Sequence, residues 1–454
     1  MPLPDRQQKG ADAVKRKMRF FAWALSLALL LTGCANQTVE EMYALPKRSK
    51  AYDKLQFAID SAMAGLTYCA PRSGDNQQTV QSADLDGDGI EEYLVFAKGT
   101  DEKPLQVLIF KQEPDGTVRQ VETIRSNGQA FEQVEYVEFD DLPGCELVIG
   151  QQVSDQVLRS VAVYTFSGGG AEMLLLNTYS KFLTCDLDED GLRELMVLRP
   201  GEAATERGVA VLYSSQNGQI VRSVETELSE EPSKIRRMSA GRLQGGTPAV
   251  YVGSAADEKA IVTDIFALKD GKFTNISFSS EADTSIRTLR NYYVYASDID
   301  EDGILELPSL ITMKPVTSVQ EKQQQFLLRW FSLDVNGWEM DKMFTFHNYL
   351  GGWYLELNRD WASRISVEQE QDMYTFYVWD DSYQQATMLF KLYVFTGTDR
   401  DKLASGAGRF PLYRAEGVAY AASLEYGAAD YGITQDQLIE AFHLLRQDRQ
   451  YSGL

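Results

Sequence analysis

The chain has 454 residues, more than one ordinary hydrophobic core accommodates, which predicts several domains or one array of repeats. Hydrophobic residues make up 44% of it and aromatic residues 11%, which excludes wholesale disorder. The net charge of −22 argues against nucleic acid and anionic lipid surfaces as partners of the folded body and favours cations.

The N-terminal residues form a targeting segment rather than part of the fold. Four basic residues lie within 15–19, and an apolar run follows over 20–31. This run is short for a permanent transmembrane helix and is typical of a signal sequence. Leu31-Thr32-Gly33-Cys34 resembles a bacterial lipobox, which implies cleavage before Cys34 and a diacylglycerol group on its sulfur. An ordinary N-terminal anchor is the alternative, and Met18 is a second candidate start.

The residues after the signal segment (1–33) are predicted to be a polar tether over 34–50. The body would then be lipid-anchored to the membrane through Cys34, on the cell envelope and extracytoplasmic. Removal of residues 1–33 takes away six basic and two acidic residues, which moves the net charge from −22 to −26. The three remaining cysteines are too few for a disulfide framework. We interpret them as small buried apolar residues, with one disulfide as the alternative: Cys69, Cys145 and Cys185.

A short amphipathic helix is predicted over 51–67. Gly65 is a suitable terminator for it. One face of this helix is apolar: Tyr52, Leu55, Ile59, Ala62 and Met63. We expect this face to pack on the following domain, residues 68–425, with a partner protein as the alternative.

The most informative feature of that domain is a nine-residue acidic segment that occurs three times. We call the copies loop 1, loop 2 and loop 3 and number their positions 1 to 9: Asp84-Leu-Asp-Gly-Asp-Gly-Ile-Glu-Glu92, Asp186-Leu-Asp-Glu-Asp-Gly-Leu-Arg-Glu194 and Asp298-Ile-Asp-Glu-Asp-Gly-Ile-Leu-Glu306. Apolar stretches that predict β-strands follow over 93–96, 195–198 and 310–313. Degenerate copies start at 138 and 241, so the five starts are 54, 48, 55 and 57 residues apart.

Tight turns recur in phase with these segments. Asp-Gly, Gly-Gly and Asn-Gly pairs favour short hairpins, and they occur within 114–116, 167–170, 216–218, 269–271 and 335–337. A unit of loop, strand, strand, turn and strand has the size of a propeller blade. The sequence therefore predicts an all-β fold, a β-propeller of about six to seven blades, closed by pairing of 418–424 with 79–83. An open β-solenoid or stacked sandwiches are the alternatives.

The acidic loops carry oxygen ligands in an order that suits Ca²⁺. Aspartates at positions 1, 3 and 5, the carbonyl at position 7 and the glutamate at position 9 supply most of the 6 to 8 oxygens that calcium takes, and glycine at position 6 permits the turn. An EF-hand has its glutamate at position 12, where Val95, Val197 and Ser309 stand here. The alternative is a solvated acidic turn that binds no ion, but carboxylates this close repel one another when no cation is present. The predicted ligands are Asp84, Asp86, Asp88, Ile90, Glu92, Asp186, Asp188, Asp190, Leu192, Glu194, Asp298, Asp300, Asp302, Ile304 and Glu306.

Asp-x-Asp-x-Asp-Gly-x-x-Glu running into a strand, repeated at blade-like intervals, resembles the FG-GAP/VCBS repeats of integrin α-chain propellers. The resemblance covers roughly residues 75–400 and is strong in the three loops. It implies a seven-bladed propeller with structural calcium in inter-strand loops. The Phe-Gly and Gly-Ala-Pro signatures of the family are not recognisable in this chain.

The C-terminal segment, residues 426–454, predicts a helix, with a capping box of Thr434 and Gln437. His443 is predicted on the surface of this helix and His347 in a strand. These two histidines are the only ones in the chain, which limits histidine-based catalysis and metal chemistry. The aromatic residues between 330 and 379 are interpreted as packing between blades, with a sugar-stacking surface as the alternative.

The sequence therefore favours a non-enzymatic lipoprotein, stabilised by about three structural Ca²⁺ ions, that binds a protein or glycan ligand or acts as a scaffold. The alternative is an extracytoplasmic glycan hydrolase or lyase that uses a propeller rim or channel, because a glycosidase needs only two carboxylates. A concave pocket with such a pair away from the acidic loops would favour the enzyme.

Overall fold

The computed structural model describes residues 50–153, 159–167, 170–201, 207–216, 219–292, 294–316, 325–406 and 408–445. The predicted signal segment, Cys34 and nearly all of the predicted tether lie outside these residues. The described residues divide into two compact units, one within 1–64 and 112–119 and the other within 65–111 and 120–454. Among the described residues, no helix combines the length and apolar character that crossing a bilayer requires.

The described part of the chain is an all-β fold of six antiparallel sheets with a few helices. The helices are α1 (Lys50–Ala62), α2 (Arg359–Ala362), α3 (Arg400–Ala404) and α4 (Gln435–Ala441). Helix α1 ends three residues before Gly65, whose φ of +81° is left-handed. In the first unit, the Lys54 ammonium of α1 donates a hydrogen bond to the Gly116 carbonyl at 2.8 Å.

The first three sheets follow one another along the chain. Sheet 1 contains β1 (Thr67–Tyr68), β2 (Val80–Ala83), β3 (Glu92–Lys98), β4 (Leu105–Gln112) and β5 (Val118–Ser126). Sheet 2 contains β6 (Ala130–Val137), β7 (Glu146–Gln152), β8 (Arg159–Ser167) and β9 (Gly170–Tyr179). Sheet 3 contains β10 (Lys181–Cys185), β11 (Glu194–Arg199), β12 (Val209–Gln216), β13 (Gln219–Arg222) and β14 (Thr226–Glu227).

The other three sheets continue this order, except that the last strand returns to sheet 5. Sheet 4 contains β15 (Ile235–Arg242), β16 (Pro248–Ala255), β17 (Ile261–Lys269) and β18 (Lys272–Asn275). Sheet 5 contains β19 (Leu307–Thr312), β20 (Phe326–Leu333), β21 (Glu339–Asn348), β22 (Trp353–Leu357) and β28 (Phe442–Leu444). Sheet 6 contains β23 (Ile365–Glu370), β24 (Met373–Trp379), β25 (Ala386–Thr396), β26 (Phe410–Ala415) and β27 (Val418–Leu424).

The predicted tight turns connect neighbouring strands of these sheets. They join β4 to β5, β8 to β9, β12 to β13, β17 to β18 and β20 to β21. In the fourth, Lys269 pairs with Lys272, and Asp270 and Gly271 between them have φ angles of 49° and 71°. Two consecutive positive φ angles are what a type I′ hairpin needs. The turn predictions at 114–116, 269–271 and 335–337 are therefore confirmed, whereas residues 168–169 and 217–218 of the other two turns lie outside the described residues.

Successive sheets in the second unit share hydrophobic cores. Side chains of sheets 1 and 2 form one cluster, in which the Phe96 and Phe131 rings meet edge to face at 5.1 Å. Further clusters join sheets 2 and 3, sheets 3 and 4, sheets 4 and 5, and sheets 5 and 6. Burial of apolar surface between neighbouring sheets is the main force that holds them in this order.

Two predictions about the C-terminal part are wrong. β27 pairs on one edge with β25 and on the other with β26, while β2 pairs with β3, so 418–424 does not pair with 79–83. The capping box of Thr434 and Gln437 is confirmed, but α4 ends at Ala441. The chain then becomes extended, because Phe442 packs against Trp353 and β28 extends sheet 5. His443 therefore lies on a strand and not on a helix.

Candidate metal centres

Each acidic loop connects two antiparallel segments and leads into a strand. The residue before position 1 pairs with the glutamate at position 9 in all three: Ala83 with Glu92, Cys185 with Glu194, and Ser297 with Glu306. The prediction that these loops enter strands and not helices is confirmed, which separates them from EF-hands. An antiparallel pair therefore closes the base of each loop.

Hydrogen bonds inside the loops fold each of them around its first aspartate. The amide of the position-6 glycine donates to the position-1 carboxylate at 2.9, 3.1 and 2.9 Å in loops 1, 2 and 3. These glycines have left-handed φ angles: Gly89 (83°), Gly191 (92°) and Gly303 (86°). Such φ angles are strained for other residues, so the predicted role of glycine at this position is confirmed.

Position 4 is also left-handed, a feature that sequence reasoning missed. It is Gly87 in loop 1 but Glu189 and Glu301 in loops 2 and 3, with φ angles of 71°, 62° and 65°. A Cβ atom on Gly87 would lie 2.3 Å from the carbonyl carbon of Pro143 in the neighbouring degenerate loop. Loop 1 therefore needs glycine at position 4 because the backbone of the degenerate loop between β6 and β7 approaches it closely.

The glutamate at position 9 has a structural role that sequence reasoning also missed. Its Oε2 accepts the backbone N–H of position 2 at 2.9, 2.7 and 3.1 Å in loops 1, 2 and 3. The degenerate loop that starts at 138 keeps this arrangement, with Glu146 accepting the Phe139 N–H at 3.0 Å. The other carboxylate oxygen of Glu146, Oε1, accepts a hydrogen bond from the Thr165 hydroxyl at 3.1 Å. The nine-residue spacing of Glu146 was the sequence signal for this role.

Within each loop, one oxygen from each of three carboxylates lies within 4.8 Å of the other two. The trios are Asp84, Asp86 and Glu92 in loop 1; Asp186, Asp188 and Glu194 in loop 2; and Asp298, Asp300 and Asp302 in loop 3. Asp88, Asp190 and Glu306 are outside these trios. The position-7 residues Ile90, Leu192 and Ile304 donate their amides to the position-5 carboxylates. The direction of their carbonyls as calcium ligands stays a prediction.

In loop 1 a lysine ammonium lies among the carboxylates. The Nζ atom of Lys111 is 2.7 Å from Asp88 and 3.1 Å from Glu92, and it also contacts Asp86. Burial by itself lowers the pKa of Lys111, but these three hydrogen bonds raise it above its ordinary value. The same contact lowers the pKa of Asp88. The charge of loop 1 is thus partly neutralised from within the chain.

Loop 3 also has a lysine beside its aspartates, but this lysine forms no ion pair with the glutamate at position 9. Lys342 on β21 lies 3.2 Å from Asp300 and also contacts Asp302. Glu306 is 0% exposed, and its Oε1 accepts no hydrogen bond from the described residues. Burial, followed by repulsion from Asp300 and Asp302, raises the pKa of Glu306 to about 7.

Loop 2 has no such cation. Among the described residues, no lysine or arginine nitrogen lies within 4.0 Å of its three aspartates or Glu194, and Arg242 binds Glu189 on the outside of the loop. Glu194 is 3% exposed, and burial, together with repulsion from Asp188 and the other aspartates, raises its pKa to about 7. Burial and the neighbouring aspartates also raise the pKa of Asp188.

The donor set fits a hard divalent cation. Calcium binds carboxylate oxygens at roughly 2.3–2.6 Å, so any two of its ligands lie within about 5.2 Å of each other. The trios satisfy this limit. Glu194 and Glu306 each keep one oxygen free of the loop amide, and a bound cation would compensate the repulsion that raises their pKa.

The other candidate residues take part in packing. His347 lies on β21 as predicted, and both histidines stack on the Tyr354 ring, with centroids 4.9 Å away in each case. Trp330, Trp353 and Trp379 are buried, whereas Trp338 is 73% exposed. The three cysteines are free thiols: Cys69, Cys145 and Cys185. They are buried or half-buried, and the alternative of a disulfide is wrong.

A small cavity lies between sheets 1 and 2. Its volume is about 10 Å³, which is room for a single water molecule. Apolar and neutral polar side chains line it: Val107, Ile124, Ser126, Phe131, Ile149, Gln151, Ala162 and Tyr164. This cavity offers no carboxylate pair for glycoside chemistry.

Fold and site together define a class of protein: a multi-sheet antiparallel β-protein whose hairpin loops carry clustered carboxylates. No protein-family model and no curated protein matches the chain. Solved structures similar to it include a rhamnogalacturonan lyase of Bacillus licheniformis, with 11% identity and a TM-score of 0.26 over 71% of this chain and 72% of that one. Another is the exotype rhamnogalacturonan lyase YesX, with 12% identity and a TM-score of 0.25 over 72% of this chain and 65% of that one.

Proposed function

We propose that this chain is a calcium-stabilised binding or scaffolding module, without enzymatic activity, held on the outer side of a membrane by a lipid on Cys34. Its repeated units are proposed to be FG-GAP/VCBS-type blades of a propeller. The observation that carries the calcium proposal is loop 2. There, Asp186, Asp188 and the buried Glu194 converge within 4.8 Å, and no cationic side chain of the described residues compensates them.

The physical reason is the cost of this arrangement without a cation. Glu194 is held by the Leu187 amide, so it cannot turn away from the aspartates without losing a buried hydrogen bond. A divalent ion converts this repulsion into attraction and ties β10 to β11 at the loop between them. An ion that binds only the folded protein stabilises it by about 2.7 kcal/mol at a hundredfold excess over its Kd.

The blade proposal is supported by the arrangement of the sheets. Loop 1 contacts the degenerate loop of sheet 2 at Gly144, because a Cβ atom added to Gly144 would lie 2.5 Å from the Leu85 carbonyl oxygen. The Arg193 amide of loop 2 donates to the Glu138 carbonyl at 2.9 Å, and the Leu305 amide of loop 3 donates to Arg242 at 3.0 Å. The loops therefore lie where consecutive sheets meet, so an ion there would stiffen the contact between sheets and the surface that they present to a ligand.

Thermal unfolding of the purified full-length chain tests this proposal. With millimolar calcium we expect a melting temperature several degrees above that in chelator, and a smaller effect of magnesium, which suits flexible all-protein cages poorly. The double variant Asp186→Asn/Asp188→Asn removes two loop 2 ligands with little change in volume. It should lose much of the calcium-dependent gain. Equal melting temperatures with calcium and chelator in the wild-type chain would contradict structural calcium.

A further inference from the structure

The three acidic loops differ in what faces the buried glutamate. In each sheet, the antiparallel register between the strand that follows the loop and the next strand fixes which residue lies opposite position 9. Tyr93 pairs with Phe110, which places Lys111 opposite Glu92. The same register places Ser214 opposite Glu194 in sheet 3 and Ser332 opposite Glu306 in sheet 5.

In the degenerate loop of sheet 2, the residue opposite position 9 hydrogen-bonds to the glutamate at position 9. There, Leu147 pairs with Tyr164, which places Thr165 opposite Glu146. The Thr165 hydroxyl donates to Oε1 of Glu146 at 3.1 Å, while Oε2 holds the Phe139 amide. Both glutamate oxygens therefore have partners within the chain, and this loop has lost an aspartate at position 5. The opposite residue thus determines whether the glutamate keeps an oxygen for an outside ligand.

Lys111 uses the same position to bring a positive charge into loop 1. Its ammonium has three N–H donors, and it contacts three carboxylates: Asp86, Asp88 and Glu92. Two of these acids, Asp86 and Glu92, belong to the oxygen trio of the loop. The lysine side chain is only 20% exposed, so its ammonium is inserted among the acids. Lys111 thus compensates the buried glutamate at position 9 as well as two aspartates, and a divalent cation that used these oxygens would have to displace its ammonium.

Loop 3 differs because its lysine comes from another strand. Lys342 lies on β21 and contacts Asp300 and Asp302, but no lysine or arginine nitrogen of the described residues lies within 4.0 Å of the fully buried Glu306, whereas Lys111 is 3.1 Å from Glu92. The opposite residue, Ser332, donates instead to Gln244 at 2.9 Å. Loop 3 thus retains an acceptor that Lys342 does not satisfy and that a divalent cation would.

From these contacts we infer that Lys111 is the resident cation of loop 1, which takes no divalent ion in the native chain, whereas loops 2 and 3 are the calcium sites. This inference rests on the proposed function, since it divides the proposed calcium ions among the loops. It changes the expected number of ions from three to two. It also makes loop 1 independent of the calcium concentration around the protein.

Calcium stoichiometry of the purified full-length chain tests the inference. Equilibrium dialysis at about 1 mM free calcium, a level at which extracellular calcium modules fill, should give two bound ions for the wild type. Lys111→Met keeps the length of the side chain and removes its charge, and it should bind one ion more than the wild type. The double variant Lys111→Met/Asp86→Asn should return to the wild-type number. Lys103→Met, at an exposed turn between β3 and β4, is the matched control and should also stay at that number.

Melting temperatures supply a second readout. In chelator, Lys111→Met should melt below the wild type, because Asp86, Asp88 and Glu92 lose their counter-charge, and calcium should raise its melting temperature more than it raises that of the wild type. If Lys111→Met unfolds during purification, Lys111→Gln takes its place.

The outcomes separate the two proposals. Three ions bound to the wild type, or no additional ion and no larger calcium response in either Lys111 variant, would overturn the role of Lys111 and leave structural calcium intact. No calcium bound to the wild type or to the variants would overturn the calcium proposal itself.

Discussion

Replacement of Glu194 by glutamine is expected to change stability in opposite directions with and without calcium. The Glu194 carboxylate is 3% exposed, accepts the Leu187 amide at 2.7 Å and lies beside Asp186 and Asp188. Glutamine has nearly the same shape, and its amide oxygen can still accept the Leu187 N–H. The substitution therefore removes one negative charge and keeps the loop fold.

The magnitude follows from the raised pKa of Glu194. Its pKa rises from 4.5 to about 7 on folding, and each pKa unit corresponds to about 1.4 kcal/mol, so the charged carboxylate costs at most roughly 3.5 kcal/mol. Because the folded-state pKa is raised, this cost develops as pH rises above 4.5 and is complete above about 7. At pH 8 in chelator, Glu194→Gln should therefore stabilise the chain by about 1–3 kcal/mol. In calcium it should lose stability relative to the wild type, because an ion ligand is missing.

The assay is thermal unfolding at pH 8 of both proteins, each with calcium and with chelator. Glu92→Gln is the matched control, because Glu92 occupies the same position in loop 1 but is paired with Lys111 at 3.1 Å. In chelator this control should melt below the wild type, in contrast to Glu194→Gln. If both variants shift the melting temperature in the same direction in chelator, the reasoning from local charge compensation is refuted.

Three further predictions concern the loops and the anchor. Gly87→Glu, which gives loop 1 the position-4 residue of loop 2, should destabilise the chain by about 1–3 kcal/mol because its Cβ would clash with Pro143. The reverse change in loop 2, Glu189→Gly, should leave stability within about 1 kcal/mol of the wild type. It relieves a strained φ angle but loses an exposed ion pair with Arg242. Glu146→Ala should cost about 1–3 kcal/mol equally in calcium and in chelator, because the Phe139 amide loses its acceptor whether or not an ion is present; a loss seen only in calcium would contradict this. Cys34→Ala should abolish incorporation of a labelled fatty acid into the chain in cells, because the acceptor sulfur is missing, and unchanged labelling would argue against a lipid on Cys34.

Local sequence patterns were sufficient for the hairpin framework. The glycine at position 6, the Asp270-Gly271 turn and the Thr434 capping box were all predicted from residues within a few positions of each other. These features depend on backbone dihedral angles and on hydrogen bonds that close over one turn of chain. Such preferences are present in the sequence itself and need no knowledge of the tertiary fold.

Pairing between distant segments was not predictable in the same way. The proposed partner of 418–424 was wrong, because β27 is enclosed by β25 and β26. The helix that was expected to carry His443 ends at Ala441, because packing of Phe442 in the core favours an added strand. In both cases the local pattern admits several partners, and burial in the assembled sheets decides between them.

The sequence by itself determined where the acidic loops lie and which carboxylates they carry. Only the tertiary structure decided which of those charges are already compensated, since Lys111 and Lys342 reach the loops from other strands through the register and the packing of the sheets. An electrostatic interaction depends on the distance between charges in space and not along the chain. Loops with nearly the same sequence can therefore differ in what they bind.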